Sequence, residues 1–355
     1  MFIYYSFWFL ISLIALPFKK GKYHKILVYI IYLSLIIFVG LRFKIGGDWR
    51  SYQDKLINYQ YVESIEGFLS LSEPGYGLLN LLSLHFNIND IFFVNTICSV
   101  LFFLCLYKFS KRLDDYLFPI FVCFAYTIVV VATGYTRQTV AIGFSLLAFI
   151  SVLDRKLLNF IFYVFLGSLF HKTILFFIIF VPLFFNFFNL RNSLILFIYT
   201  FFSFSLISFV VYLSIKNEYN AYTTDLSSKG VYMRLLMHVV PVFCYLYYRK
   251  IFVSYLGLKV NIIDFSTYII IYLFFLAMFL STLTDRMNLY FVYYDIFILS
   301  FLFNKLSINT KMILWFSIFF TNSVVLSLWL FFGKWTAVSW LPYNNYIFVL
   351  FNGLF

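Results

Sequence analysis

Nine ionisable residues carry the chemical signal in this chain: Arg42, Asp48, Arg50, Glu73, Arg137, His171, Arg234, Asp285 and Arg286. A guanidinium is a rigid fork that grips phosphate oxygens two at a time, which a lysine ammonium does less well. Arg137 opens an apolar block in Thr136-Arg137-Gln138 and is the first choice for holding a pyrophosphate. Arg286 and Arg234 join it, with Arg42 and Arg50 as helpers. Asp285 and Arg286 are sequence neighbours, and adjacent helical residues do not face one another, so each meets a different partner. Asp48 follows Gly46-Gly47, which lets the backbone turn tightly and aim the carboxylate inward. It is the first candidate for a general base, and Glu73 is the reserve. His171 stands in Phe170-His171-Lys172 between two apolar blocks, where it shares proton transfer or binds phosphate. These roles are exchangeable at this level. Asp295, midway along an apolar block, pairs with a basic residue or is protonated.

Other chemistries are excluded. No H-x-x-x-H or H-E-x-x-H spacing occurs, so no protein-built metal site is expected. No Walker or dinucleotide loop occurs, so ATP-driven work by this chain alone is ruled out and no cofactor is implied. The four cysteines lie in apolar blocks without C-x-x-C spacing and read as packing residues.

What must position these groups follows from composition. The 355 residues are 63% apolar, 25% aromatic and only 11% charged, and mean hydropathy is +0.93. Such a chain cannot cover a water-facing surface. Blocks such as Ile26–Val39 are almost continuously apolar, unlike the alternation of a membrane β-barrel. The expected fold is all-α, a polytopic membrane protein with about 12 transmembrane helices. The apolar blocks are 2–18, 26–43, 91–107, 116–134, 138–153, 157–170, 173–190, 194–213, 231–248, 263–283, 289–303 and 312–332. The block near 74–88 is too short to span and reads as a re-entrant or interfacial helix, with Ser72 as its cap.

The net charge of +12 sets orientation in a membrane protein and does not signal nucleic acid. With the Lys19–Lys25 cluster on the cytoplasmic side, the nine ionisable residues gather on the outer face. Two outer loops stand out, 44–74 and 214–230. The first contains an amphipathic helix near 51–70; the second is tyrosine-rich, with Tyr222 a candidate for substrate contact. No repeat or low-complexity linker interrupts residues 1–355, which read as a single transmembrane domain.

Several fragments in this order resemble the Wzy-type polysaccharide polymerases, in particular their EpsG-like branch. They are Arg42 to Tyr52, Glu73-Pro74-Gly75-Tyr76, Thr136-Arg137-Gln138 through Ala141, Phe170-His171-Lys172-Thr173, Asp285-Arg286-Met287 through Tyr290-Phe291, and Trp340-Leu341-Pro342-Tyr343. The loop 214–230 is shorter than the large periplasmic loop of many members of the wider group. The resemblance implies a glycosyltransferase of the bacterial inner membrane with its site facing the periplasm or cell exterior. It would move a growing O-antigen or capsule-type glycan from undecaprenyl pyrophosphate to a lipid-linked repeat unit. Its implied partners are that lipid-linked oligosaccharide, membrane lipid and a chain-length regulator. Two alternatives share the polar face: an O-antigen ligase and a lipid-linked oligosaccharide flippase. Transporters usually carry inverted repeats, and none is visible here.

Overall fold

The computed structural model describes residues 1–17, 24–185, 195–206, 228 and 230–351. Among the described residues the regular structure is helical, and an isolated antiparallel bridge joins Arg42 to Asn345. Five helices are long and apolar enough to cross a bilayer: Phe92–Arg112, Thr136–Leu153, Val231–Leu276, Ser281–Lys305 and Ile308–Phe332. Shorter apolar helices cover Phe2–Ile14, His24–Gly40, Phe118–Ala132, Leu157–Ser168, Lys172–Phe184 and Ile195–Leu206. Each apolar block of the sequence overlaps one of these within the described residues, consistent with a polytopic membrane protein. The 46 residues of Val231–Leu276 would make a straight rod about 70 Å long. The rod is interrupted at Tyr248 (φ −97°, ψ 15°) and at Gly257 (φ +55°), so it supplies two apolar stretches.

The chain divides into two compact units. The first comprises Met1–Leu147, Phe165–Lys172 and Ser300–Phe355. Part of its core is an aromatic stack in which Trp8 lies nearly parallel to Phe121 at 5.2 Å and to Phe319 at 5.7 Å. Beside it, Phe124–Ala132 winds as a π-helix, whose wider turn disturbs the usual i to i+4 ladder. In an apolar setting each disturbed carbonyl needs a donor. Asn322 Nδ2 donates to the carbonyls of Phe121 and Val122 at 3.1 Å each, and Trp340 Nε1 donates to Val129 at 3.1 Å. Thr139 Oγ1 donates to Val131 at 3.0 Å. The π segment leads through Thr133-Gly134 into the helix Thr136–Leu153, whose first turn carries Arg137.

The loop 41–47 is closed by a segment almost 300 residues later. The amide of Gly46 donates to Ser339 at 2.7 Å, Phe43 to Asn344 at 3.0 Å, and Tyr346 to Leu41 at 2.8 Å. The Tyr343 hydroxyl donates to the Phe38 carbonyl at 2.7 Å. Trp340, 1% exposed, fills the space behind the loop and donates to Thr133 Oγ1 at 2.8 Å. Gly46 sits at φ +107°, where a Cβ would lie 2.2 Å from the Thr133 carbonyl oxygen.

The amphipathic segment near 51–70 is not one helix. It forms Trp49–Asn58, a 3-10 turn Tyr59–Tyr61, and Ile65–Leu71. Ser64 starts the last piece afresh, its Oγ accepting from the Gly67 amide at 3.0 Å. Ser72 does not cap the next helix. Glu73 holds that position before Pro74–His85, and Ser72 Oγ shares a 2.7 Å hydrogen bond with the Tyr59 hydroxyl. Proline at the first helical position costs no hydrogen bond, and this fixes the start one residue later than the serine suggests.

The second unit comprises Ala148–Val164 and Thr173–Leu299. Tyr293 is central to it, stacked on Phe149 at 4.3 Å and meeting Phe177 and Phe180 edge-on. Its hydroxyl donates to Ser266 Oγ at 3.0 Å. Asp264 is held by Arg249 at 2.6 Å and by the Tyr245 hydroxyl at 2.5 Å.

The contrast between Gly46 and its neighbour is testable. Gly46→Ala should lower the thermal unfolding midpoint of the detergent-solubilised protein, reflecting about 1–3 kcal/mol of strain. Gly47→Ala, whose Cβ would meet Trp340 at an ordinary 3.7 Å, should leave the midpoint nearly unchanged. Equal midpoints for the two variants would contradict the loop geometry.

Candidate functional site

The first unit gathers three of the singled-out residues. Arg137 NH1 donates to Glu73 Oε2 at 2.5 Å, with the two side chains 24% and 11% exposed. The guanidinium carbon lies 5.8 Å from the ring centroids of both Tyr52 and Tyr76. Cations are attracted to aromatic faces at this range. Tyr52 is buried, and burial followed by the nearby charge of Asp48 pushes its phenol up to about 12. Asp48 thus lies close enough to Tyr52 to act on its phenol. Its backbone carbonyl accepts from the Tyr52 amide at 3.0 Å, starting the helix Trp49–Asn58.

Helical spacing explains the convergence. Residues 48, 52, 55 and 59 follow at intervals of four, three and four, so they share one face. Glu73 and Tyr76 come from the start of Pro74–His85, and their rings and charges meet that face: Tyr52 and Tyr76 lie 5.5 Å apart. Glycine at 75 permits the close docking of this turn, because its amide donates to the Leu169 carbonyl at 2.8 Å and a Cβ would sit 2.9 Å from that oxygen. The same contact brings the 73–75 turn up to the segment that ends in His171. His171 is half-buried, and its amide donates to the Gly167 carbonyl at 3.0 Å.

Two buried polar atoms in this cluster have no hydrogen-bond partner among the described residues, Arg137 Nε and the Tyr76 hydroxyl. Buried donors are normally satisfied, and an open one beside a cation marks a place for a water or an acceptor oxygen. Tyr52 and Tyr76 fall in the fragments that carry the resemblance, but among 30 tyrosines their types alone do not mark them as site residues. The register of Tyr52 with Asp48 was the available signal.

Arg42 has a different task from the one expected. It is 1% exposed, and its guanidinium donates to the carbonyls of Val39 at 2.6 Å and Ile45 at 3.2 Å. It also donates to Thr136 Oγ1 at 2.6 Å and Asn95 Oδ1 at 3.3 Å. Four bonds nearly saturate its five donors, so it is a strut under the neighbouring Arg137 rather than a phosphate ligand. Arg50 is exposed on the helix Trp49–Asn58.

The second unit holds the remaining candidates. Arg234 NH1 donates to Asp285 Oδ2 at 2.7 Å, and Ser228 Oγ bonds both at 3.1 Å. Asp285 Oδ1 is buried without a hydrogen-bond partner among the described residues. Arg286 is exposed, as expected for a residue one step around the helix from Asp285. Tyr222 lies outside the described residues. Asp295 does find its basic partner: His238 Nδ1 lies 2.8 Å from Asp295 Oδ1, and Nε2 lies 2.8 Å from Asn288 Oδ1. The sequence reading passed over His238, although it follows Arg234 by four residues and therefore shares its face. Among the described residues no group of three His, Cys, Asp or Glu is placed to hold a metal ion.

Over residues 25–345 the chain matches the model of the family described as EpsG family. No curated protein and no solved structure matches it.

The two ion pairs predict different mutational signatures. Arg137→Gln and Glu73→Gln should be non-additive, with a coupling of about 0.5–3 kcal/mol in a double-mutant cycle of unfolding stability. Additive single effects would mean the pair is not formed. His238→Ala leaves the carboxylate of Asp295 buried alone, which should cost about 3–5 kcal/mol. Arg50→Ala should fall within about 0.5 kcal/mol of wild type in the same assay.

Proposed function

The chain belongs to the EpsG family, and from that premise we propose that it is a Wzy-type polysaccharide polymerase of the bacterial inner membrane. In this reading it crosses the bilayer about twelve times and works on the periplasmic or outer side. It transfers a growing glycan from undecaprenyl pyrophosphate to a lipid-linked repeat unit, alongside a separate chain-length regulator. The observation that carries the reading is the Arg137–Glu73 pair, set beside Tyr52 and Tyr76 with a buried guanidinium donor still open.

The reaction asks for three things. The bond between the anomeric carbon and the pyrophosphate oxygen breaks, and the pyrophosphate leaves with the electron pair. The acceptor hydroxyl oxygen forms the new glycosidic bond, and its proton passes to a base. Charge therefore accumulates on the leaving oxygen, where a fixed cation lowers the barrier most. Arg137 is that cation. Its two aromatic neighbours hold it in place independently of Glu73, so it stays aimed when a phosphate oxygen replaces the carboxylate. Asp48 takes the hydroxyl proton, and Glu73 is the counter-ion of the empty site. His171, next to the docked 73–75 turn, is the remaining proton carrier. The proposed site lies wholly in the first unit; Arg234 and Asp285 are engaged with each other in the second. No ATP is required, because the lipid pyrophosphate is already an activated donor.

Deleting the gene in its host should collapse the surface-polysaccharide ladder to a single repeat, and the wild-type gene should restore it. Arg137→Ala, expressed at wild-type level, should lose at least about a hundredfold of polymerised product. Asp48→Asn should lose a similar factor, and Glu73→Gln less. Accumulation of long unligated polymer on deletion would overturn the polymerase reading in favour of a ligase. Full ladders with Arg137→Ala would overturn the assignment of the site.

A further inference from the structure

Lys55 has no part in the reaction as described, yet it shares the helix face that meets the Arg137 cluster. It lies on the shared face of Trp49–Asn58, one turn beyond Tyr52, and is half-buried. Its ammonium donates to the Leu71 carbonyl at the end of the helix Ile65–Leu71. That is one of the three protons an ammonium can share. The same ammonium is repelled by Arg137 and attracted by Glu73, and it shares its helix face with Tyr52, whose ring lies 5.8 Å from the Arg137 guanidinium. Burial, and after it the charge of Arg137, lowers the proton affinity of Lys55.

Lys55 and Arg137 act on the same carboxylate, Glu73, and the hydrogen bonds of the third cation, Arg42, all go to neutral acceptors. Cations kept close together in partly buried positions cost free energy, which a bound polyanion recovers. The open Nε of Arg137 and the open hydroxyl of Tyr76 supply donors for the same oxygen-rich ligand.

We propose that Lys55 is the second cation of the phosphate site, so that Arg137 grips one phosphoryl group of the lipid headgroup and Lys55 meets the other. The division suits the two side chains, a planar fork for one group and a compact point charge on a flexible stem for the other. A site with both cations distinguishes the pyrophosphate lipid, which brings substrate, from the monophosphate lipid, which does not. Lys55 is thereby a specificity residue. The inference rests on reading the Arg137 cluster as the pyrophosphate site.

The test is calorimetric titration of the full-length, detergent-solubilised protein with inorganic pyrophosphate and with orthophosphate. Wild type should prefer pyrophosphate by at least about tenfold, or 1.4 kcal/mol. Lys55→Gln should bring the two anions to near parity by weakening pyrophosphate alone, while Lys55→Arg should keep most of the preference. Arg137→Ala should weaken both anions. A pyrophosphate preference that survives in a folded Lys55→Gln protein, or a wild type that shows none, overturns the role of Lys55. Undiminished binding of both anions by Arg137→Ala overturns the underlying reading of the site instead. Undecaprenyl pyrophosphate in the micelle should displace the inorganic ion, and undecaprenyl phosphate should do so weakly. Failure of the pyrophosphate lipid to compete would place the anion site off the lipid's path and overturn the proposal.

Discussion

The buried guanidinium of Arg42 is the constraint on which the first unit depends. Removing such a charge from water costs several kcal/mol, and the fold recovers this only if nearly every N–H finds an acceptor. The acceptors come from four places: the end of the helix His24–Gly40, the loop at Ile45, the helix Phe92–Arg112 through Asn95, and the start of Thr136–Leu153 through Thr136. Satisfying Arg42 therefore fixes where the next helix begins. Arg137 follows Thr136 directly, so its position is inherited from a neighbour that never touches solvent.

From there the site builds outward in layers of decreasing burial. Tyr52 and Tyr76 are almost wholly buried, Glu73 and Arg137 are partly exposed, and Asp48 and Lys55 are half-buried. Rigid aromatics behind and chargeable groups in front hold geometry without shielding the chemistry from its substrate. The second unit uses polar pairs differently. His238–Asp295 joins buried residues 57 apart in the chain, whereas Arg249–Asp264 joins residues 15 apart and leaves its arginine exposed. The buried pair is the one that is costly to break.

The helical blocks were legible because apolar runs of this length have few alternatives. So was the short element after Glu73, from its length and its proline. The broken course of residues 49–71 was less visible, since one amphipathic pattern runs through all three pieces and only the Ser64 cap marks the restart. Arg137 and Glu73 were singled out, yet their pairing joins residues 64 apart in sequence, a distance that residue types alone do not encode. Arg42 looked like a ligand because an arginine at a block's end does not announce which way it points. His238 and Lys55 were hidden for opposite reasons, one inside an apolar run and the other on a helix face that looked wholly solvated.

The closure of the loop 41–47 by residues 339–346 also has a meaning in time. A ribosome adds about 5–20 residues per second, so about 290 residues of further synthesis, roughly 15 to 60 s, separate the loop from the segment that shapes it. Until Ser339, Trp340 and Asn344 arrive, the Gly46 and Phe43 amides lack the acceptors they finally use. The loop that leads into Asp48 is thus completed after most of the helices have been made. A chain interrupted before that point would carry Arg137, Glu73 and Asp48 in full, and still lack the acceptors that close this loop.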